Sequence, residues 1–432
     1  MSLQQKRNYY ACVIPSILAF ALAGVYSIVD GFFIGQKLGD PGLAAVTIGY
    51  PLAVLIQAIG TGLGMAGAIR YTVWGAQGKE KEQKECYTAS LILLLLVGVI
   101  LTVVFLAGLY PIVHFLGGEG DILEMTADYA RMLAIGTIFQ LLSTGLVPFI
   151  RNMGGTTYAM VSMILGFVTN IILDYVLVWA IPMGMTGAAL ATVIGQGVTM
   201  AMAVLYLLWK RPGMQLPGWN GMLETWGRMV RIGIAPFGMT LSPTVTLVLM
   251  NRFLQIYGGE QAVAVYGCID YVTAVAYMLL QGVGDGSQPL ISECYGEGDE
   301  KGTAVNRRLA YITAGVITAG CILVLMLSRH QIGVLFGASE STAAEVAVRL
   351  PLFLWALIFV AFTRVTGSYC YATERAAQSY VLVYAEPILS LCAMLIIPRV
   401  YGLEGVWCAI PAAQAAAAVL AFFIKKRADQ KI

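Results

Sequence analysis

The sequence predicts an all-α membrane protein: twelve transmembrane helices in two pseudo-symmetric six-helix lobes around a central cavity. Three observations predict it. Of 432 residues, 59% are apolar and 12% charged, with 48 glycines and a mean hydropathy of +0.78, a composition that belongs to polytopic membrane chains. Apolar segments of spanning length recur twelve times. The second six of them repeat the first at an offset of about 220 residues.

The first span covers about residues 10–35, and from Tyr10 to Ile34 it carries one ionised group, Asp30. At about 1.5 Å per residue it can cross a hydrocarbon core of about 30 Å. It is longer than a signal-peptide core and lacks a small-residue cleavage pattern, so it is expected to be retained. An external turn is expected at Gln36. Further spans run about 43–69, 87–110, 123–150, 158–181 and 187–209, then 233–257, 262–291, 309–328, 342–369, 378–398 and 405–424. Lys and Arg crowd alternate loops, among them Lys79, Lys81, Lys84, Lys210, Arg211, Lys301, Arg307, Arg308, Lys425, Lys426 and Arg427, while the opposite loops hold Lys37, Arg329 and Arg399. That bias puts both termini in the cytoplasm of a plasma-membrane protein.

Residues 1–209 form the expected N-terminal lobe, 210–232 a cytoplasmic inter-lobe linker, 233–424 the C-terminal lobe and 425–432 a cytoplasmic tail. The linker is the polar run KRPGMQLPGWNGMLETWGR. Within the repeat, WGAQGKEKE answers YGEGDEKGT, Gly184 pairs with Gly402, Gly187 with Gly405, Gln196 with Gln414, Pro15 with Pro236 and Arg131 with Arg349. Six spans per copy make the repeat parallel, with a pseudo-two-fold along the membrane normal and the space between the lobes as the natural place for substrate.

Polar groups inside the spans carry the chemistry. Asp30 and Asp174 lie at similar distances, about 9 and 12 Å, from their outer turns. Asn170 is one helical turn from Asp174, and Thr192 returns to that level across the hairpin of residues 181–187. Two carboxylates, an amide and a hydroxyl thus converge in the outer half of the membrane. An ionised carboxylate there costs at least about 2.5–3.5 kcal/mol and needs a proton, a cation or a buried partner. No Lys or Arg shares that depth. A shared proton fits the pair; the oxygen set also suits a hard cation such as Na⁺. The competing reading is that the acids only hydrogen-bond helices together. In the second half, Asp270 and Asp285 in span eight and Glu386 in span eleven are further intramembrane acids, placed to attract a cationic compound in a wet cavity or to pair with Arg364.

Other patterns are set aside. GLGMAG at Gly62–Gly67 fits a dinucleotide fingerprint but lies inside a membrane helix with no strand before it. There is no P-loop, so energy should come from an ion gradient. His114 and His330 fall in external loops, and eight scattered cysteines suggest neither a zinc site nor a disulfide framework.

The stretches VIPSILAFALAGVYSIVDGFFIGQKLG, NIILDYVLVW, PMGMTGAALATVIGQ and GIAPFGMTLSPTVTLVLMNRFLQIYGGEQAVAVYG resemble the multidrug and toxic compound extrusion (MATE) family of cation-coupled antiporters. The likeness runs from about residue 10 to residue 424 and is closer to the DinF-like and MepA-like branches. It implies that Asp30, Asn170, Asp174 and Thr192 form the cation-coupling site, that Tyr26 and Tyr129 line the same pocket, and that Pro15 is a hinge. Span seven offers Ser242, Thr244, Thr246 and Asn251 but no acid, unlike the NorM-like branch. With Tyr26 and Tyr129, the residues Asn251, Asp270 and Glu386 complete the expected substrate cavity. The resemblance implies a secondary multidrug efflux transporter that exchanges external H⁺ or Na⁺ for amphipathic, often cationic compounds by alternating access. It would need no cofactor beyond the coupling ion. Expected partners are small-molecule drugs or toxic metabolites and membrane lipid, with no nucleic acid, and the chain is expected to be a monomer. The alternatives are a flippase for a lipid-linked oligosaccharide, which would want basic groups where this chain has acids, and a membrane-embedded enzyme, for which no nucleophile or His and acid constellation is visible.

Overall fold

Helix breaks organise the chain. The structure, a computed structural model, describes residues 3–336 and 338–429, and among them every regular element is helical. Helix α1 (Leu3–Gly39) gives way to α2 (Pro41–Ala76) at Gly39, with φ 65° and ψ −159°. That region is open essentially to glycine alone, and Pro41 then suits the first turn of the next helix. Next come α3 (Glu80–Ala107), the short α4 (Leu109–Phe115), α5 (Gly120–Ile135), α6 (Thr137–Asn152), α7 (Thr156–Ala180) and α8 (Gly184–Lys210).

The second half repeats this order. A helix of 79 residues, Trp219–Glu297, breaks at Gly259 with φ 67° and ψ −163°, so it is two spans, α9 (219–258) and α10 (260–297). They are followed by α11 (Glu300–Leu327), α12 (Arg329–Leu335), α13 (Glu340–Ala372), α14 (Ala376–Ile396) and α15 (Pro398–Asp429). Helices α3 and α11 are each 28 residues long, and α4 and α12 each 7. The positive-φ turns at Gly78 and Gly184 recur at Gly298 and Gly402, and that of Gly154 recurs at Glu374. Among the described residues 10 helices can cross a membrane by length and composition; splitting the longest at Gly259 and joining α5 to α6 as one bent span gives the twelve expected.

Two expectations need correction. The fourth span is not a single helix over 123–150: α5 and α6 meet at 54° about Gly136. A Cβ on Gly136 would sit 2.2 Å from Val193 Cγ2, so the bend comes with close packing on α8. The turn that closes the first span lies at Gly39, not Gln36. Within the expected linker 210–232, residues 211–218 are non-helical. Helix α9 begins at Trp219, fastened to α3 by Trp226 Nε1 donating to the Ala89 carbonyl at 2.9 Å and by burial of Thr225 and Met229.

The chain forms two compact units. One comprises Ile14–Thr240 with Ser292–Gly298. Its core packs Leu94, Leu141, Leu146, Phe149 and Ile150, and the backbones of α2 and α6 touch where a Cβ on Gly64 would lie 2.2 Å from the Gly145 carbonyl oxygen. The other comprises the N-terminal stretch through Val13, Leu241–Ile291 and the chain from Asp299 onward. Its core packs Met250, Leu254, Ile269, Leu350, Leu354 and Trp407.

Candidate functional site

The site in the first unit is set by a glycine contact. Helices α7 and α8 approach until backbone meets backbone: a Cβ on Gly195 would lie 2.7 Å from the Gly166 carbonyl oxygen, and one on Gly166 would lie 2.8 Å from that of Gly195. Small residues at membrane helix interfaces allow such approach. It brings Asn170 Nδ2 to Thr192 Oγ1 at 3.3 Å, and Thr192 in turn donates to the Ala188 carbonyl at 3.2 Å. Asp174 follows on the same face, at the point where α7 changes from α-helix to a π-helical stretch, Tyr175–Ala180. Such stretches are rare and concentrate at functional positions.

Asp30 comes from α1, about 13.5 Å along the helix from its end at Gly39. Its carboxyl and that of Asp174 lie within side-chain hydrogen-bonding reach of each other. Asp174 is 0% exposed and Asn170 2%. Yet Asp174 Oδ1 and Oδ2, Asp30 Oδ1 and Asn170 Oδ1 receive no donor from any other described group. Four buried acceptor oxygens without a donor carry an unmet desolvation cost. They form an oxygen cage: it can hold a proton between the carboxyls, or a hard cation among carboxylate, amide and hydroxyl oxygens.

Aromatic rings close the cage. Tyr26 stacks on Phe167 with centroids 5.1 Å apart and planes at 10°, and its hydroxyl reaches Thr192. Tyr129, 5% exposed, stands beside Asp30, Asp174 and Tyr50, in space left by Gly49, where a Cβ would come within 2.7 Å of its ring. Phe167 and Tyr50 were not singled out from the sequence; the apolar run around Phe167 carries no mark that one ring faces a polar site. Lys37 engages the Trp179 ring, 5.8 Å from its centroid. Pro15 lies within α1, which continues unbroken through it.

The remaining candidates lie in the second unit, in a polar network of their own. Glu386 accepts from Gln414 Nε2 at 3.3 Å, and the same amide donates to the Tyr277 hydroxyl at 2.6 Å. The Arg364 guanidinium lies over the Tyr277 ring, 5.4 Å from its centroid. It donates to Gln281 Oε1 at 2.8 Å, and Gln281 donates to Asp285 at 2.7 Å. Arg364 thus reaches Asp285 through a glutamine, not by a direct ion pair. Asp270 and Glu386 flank Tyr266 and Tyr277, and Asn251 Oδ1 is buried without a partner. Here Glu386 and Asp285 meet donors, whereas among the described residues Asp30 and Asp174 meet none but each other.

Comparison with known proteins gives one consistent result. The pattern of the family described as MatE matches residues 15–176 and 237–392. The multidrug export protein MepA of Staphylococcus saprophyticus is 24% identical over 416 residues, 95% of this chain and 91% of the relative. A solved multidrug resistance MATE family transporter of the MOP superfamily, in an outward-facing conformation, matches with a TM-score of 0.91 at 23% identity over 98% of this chain and 96% of that one. A MOP superfamily transporter from Pyrococcus furiosus, noted for the reverse polarity of its binding pocket, matches with a TM-score of 0.89 at 23% identity over the same shares. At these identities the structural likenesses establish the fold.

Proposed function

This chain belongs to the MATE family of membrane transporters, and from that premise we propose that it is a multidrug exporter of the plasma membrane that exchanges external H⁺ or Na⁺ for amphipathic, often cationic compounds. The observation that carries the reading is the oxygen cage: Asp30, Asp174 and Asn170 present buried acceptors that no donor among the described residues satisfies. Export of drugs follows the similarity to MepA proteins over nearly the whole chain.

In this reading the cage is the coupling site. Loading by a proton or Na⁺ neutralises Asp30 and Asp174, removes a cost of at least about 2.5–3.5 kcal/mol per carboxylate and stabilises the conformation in which α1, α7 and α8 are drawn together. Tyr26 and Tyr129 line the drug side of the cage, and Pro15 is the point at which α1 bends. Asn251, Asp270 and Glu386 supply acceptor and negative groups for a cationic compound, and Tyr266 and Tyr277 add rings that favour it. Reciprocity then requires that drug weaken cation binding by the factor by which cation weakens drug binding. Both termini face the cytoplasm, as the loop charges indicate, and the chain works as a monomer without a cofactor.

The test is efflux of ethidium from proteoliposomes under an imposed pH or Na⁺ gradient, comparing wild type with Asp30→Asn. Gradient-driven efflux should be lost in a variant that remains folded, and the gradient that drives the wild type identifies the ion. Undiminished efflux in Asp30→Asn would return the carboxylates to a packing role.

A further inference from the structure

The connector between α8 and α9 carries a surface that the transport reading leaves unused. Along the start of α9, Trp219, Leu223, Trp226 and Val230 follow at helical spacing on one face. Thr225 and Met229 lie on a second face, buried. Glu224, Arg228 and Arg231 occupy a third. The first face is open: Trp219 is 65% exposed and Leu223 46%, and the preceding Met214 and Leu216 are 69% and 73% exposed. Only Trp226 on that face turns inward, to α3.

Helix α3 gives the depth of this surface. The Ala89 carbonyl that holds Trp226 lies 18 residues before Ala107, about 27 Å along the helix, close to the thickness of a hydrocarbon core of about 30 Å. Beside it, Gln215 N donates to Thr88 Oγ1 at 3.0 Å, and Ser90 meets Met229 at 3.3 Å. The connector therefore sits at the boundary between acyl chains and headgroups. Charge there is unbalanced. Glu224 pairs with Arg228, Glu80 with Lys84 and Glu85 with Lys81, while Lys210, Arg211 and Arg231 make no ion pair among the described residues.

We propose that residues 210–231 form an interfacial anchor that binds anionic phospholipid, with Met214, Leu216, Trp219 and Leu223 dipping to the acyl boundary and Lys210, Arg211 and Arg231 holding headgroup phosphates. Exposed apolar residues beside unpaired cations at this depth match an interfacial helix, and tryptophan favours the same layer. The lipid is that of the leaflet next to the loops richest in Lys and Arg. The inference rests on the membrane-spanning fold and not on which ion drives transport.

The test uses the full chain in nanodiscs of phosphatidylcholine alone or mixed with phosphatidylglycerol. An environment-sensitive fluorescent amino acid replaces Leu216, leaving the native cysteines untouched. Bromine on the upper acyl chains should quench it, aqueous iodide should reach it poorly, and native mass spectrometry should show phosphatidylglycerol retained over phosphatidylcholine. That preference should fall about fivefold for each basic residue removed in Lys210→Gln, Arg211→Gln and Arg231→Gln, and in wild type it should weaken as salt rises. A probe open to iodide and silent to brominated lipid would overturn the proposal and point to a soluble protein as the cover. So would an unchanged lipid preference in the triple variant.

Discussion

Replacing Asp174 by Asn separates a bound ion from a packing role. Asp174 is wholly buried and neither carboxylate oxygen receives a donor from a group other than Asp30. The amide is nearly the same shape and removes an ionisable group whose charged form costs at least about 2.5–3.5 kcal/mol. Its NH₂ has the Asp30 and Asn170 oxygens as acceptors, so the folded state should lose little. What disappears is linkage to the ion. A ligand at a hundred times its dissociation constant stabilises by about 2.7 kcal/mol; at about 2 °C per kcal/mol, taken from the low end for larger chains, that is about 5 °C. The assay is the melting temperature of purified protein, measured against Na⁺ at fixed pH and against pH at fixed Na⁺. If Na⁺ fills the cage, wild-type melting rises with Na⁺. If a proton does, the folded state binds more protons than the unfolded chain and stability falls as pH rises. Asp174→Asn should flatten whichever response the wild type gives while melting within a few degrees of its unliganded value. An Asn variant that keeps the full ion response would refute the cage as the binding site.

Three predictions concern the scaffold. Gly64→Ala puts a methyl 2.2 Å from the Gly145 carbonyl oxygen, backbone against backbone, and should cost about 1–3 kcal/mol, seen as lower melting and poorer yield of folded protein. Gly154 has φ 83° with open space around it, so Gly154→Ala should cost only the left-handed backbone penalty of about 1–2 kcal/mol, and Gly39→Ala, in the region reserved to glycine, should cost up to about 3 kcal/mol in the same melting assay.

The architecture was readable because hydropathy and repetition act over long stretches. Twenty apolar residues need no partner to identify a span, and an offset near 220 residues shows itself in landmarks such as Gly184 and Gly402. The depth argument placed Asp30, Asn170, Asp174 and Thr192 at one level, and the structure brings them together. It could not show that Gly166 and Gly195 let α7 and α8 touch, since a glycine in a membrane span looks the same whether it packs or faces lipid. The bend at Gly136 was missed for the same reason. The bend accompanies packing on Val193, which is distant in sequence. The helix from Trp219 to the end of the expected linker was hidden by its Gly, Pro and charge content; packing of Trp226 and Met229 on α3 overrides those local preferences.

The repeat copied the backbone but not the chemistry. Turns recur at Gly39 and Gly259, Gly78 and Gly298, Gly184 and Gly402, and a backbone of this kind is shared because its glycine geometry admits few substitutes. Under the same offsets, Asp30 answers to Met250, Asn170 to Ser390, Asp174 to Met394 and Thr192 to Ile410. The oxygen cage has no counterpart at the equivalent positions. Two acids of the second half, Asp285 on α10 and Glu386 on α14, sit elsewhere and accept from Gln281 and Gln414, which reach Arg364 and Tyr277 in turn. A carboxylate supplied with donors can stay ionised in place, whereas one facing only another carboxylate must take up a proton or cation to be buried at all. The two halves therefore differ: Asp285 and Glu386 already carry compensation, whereas among the described residues Asp30 and Asp174 meet no donor but each other.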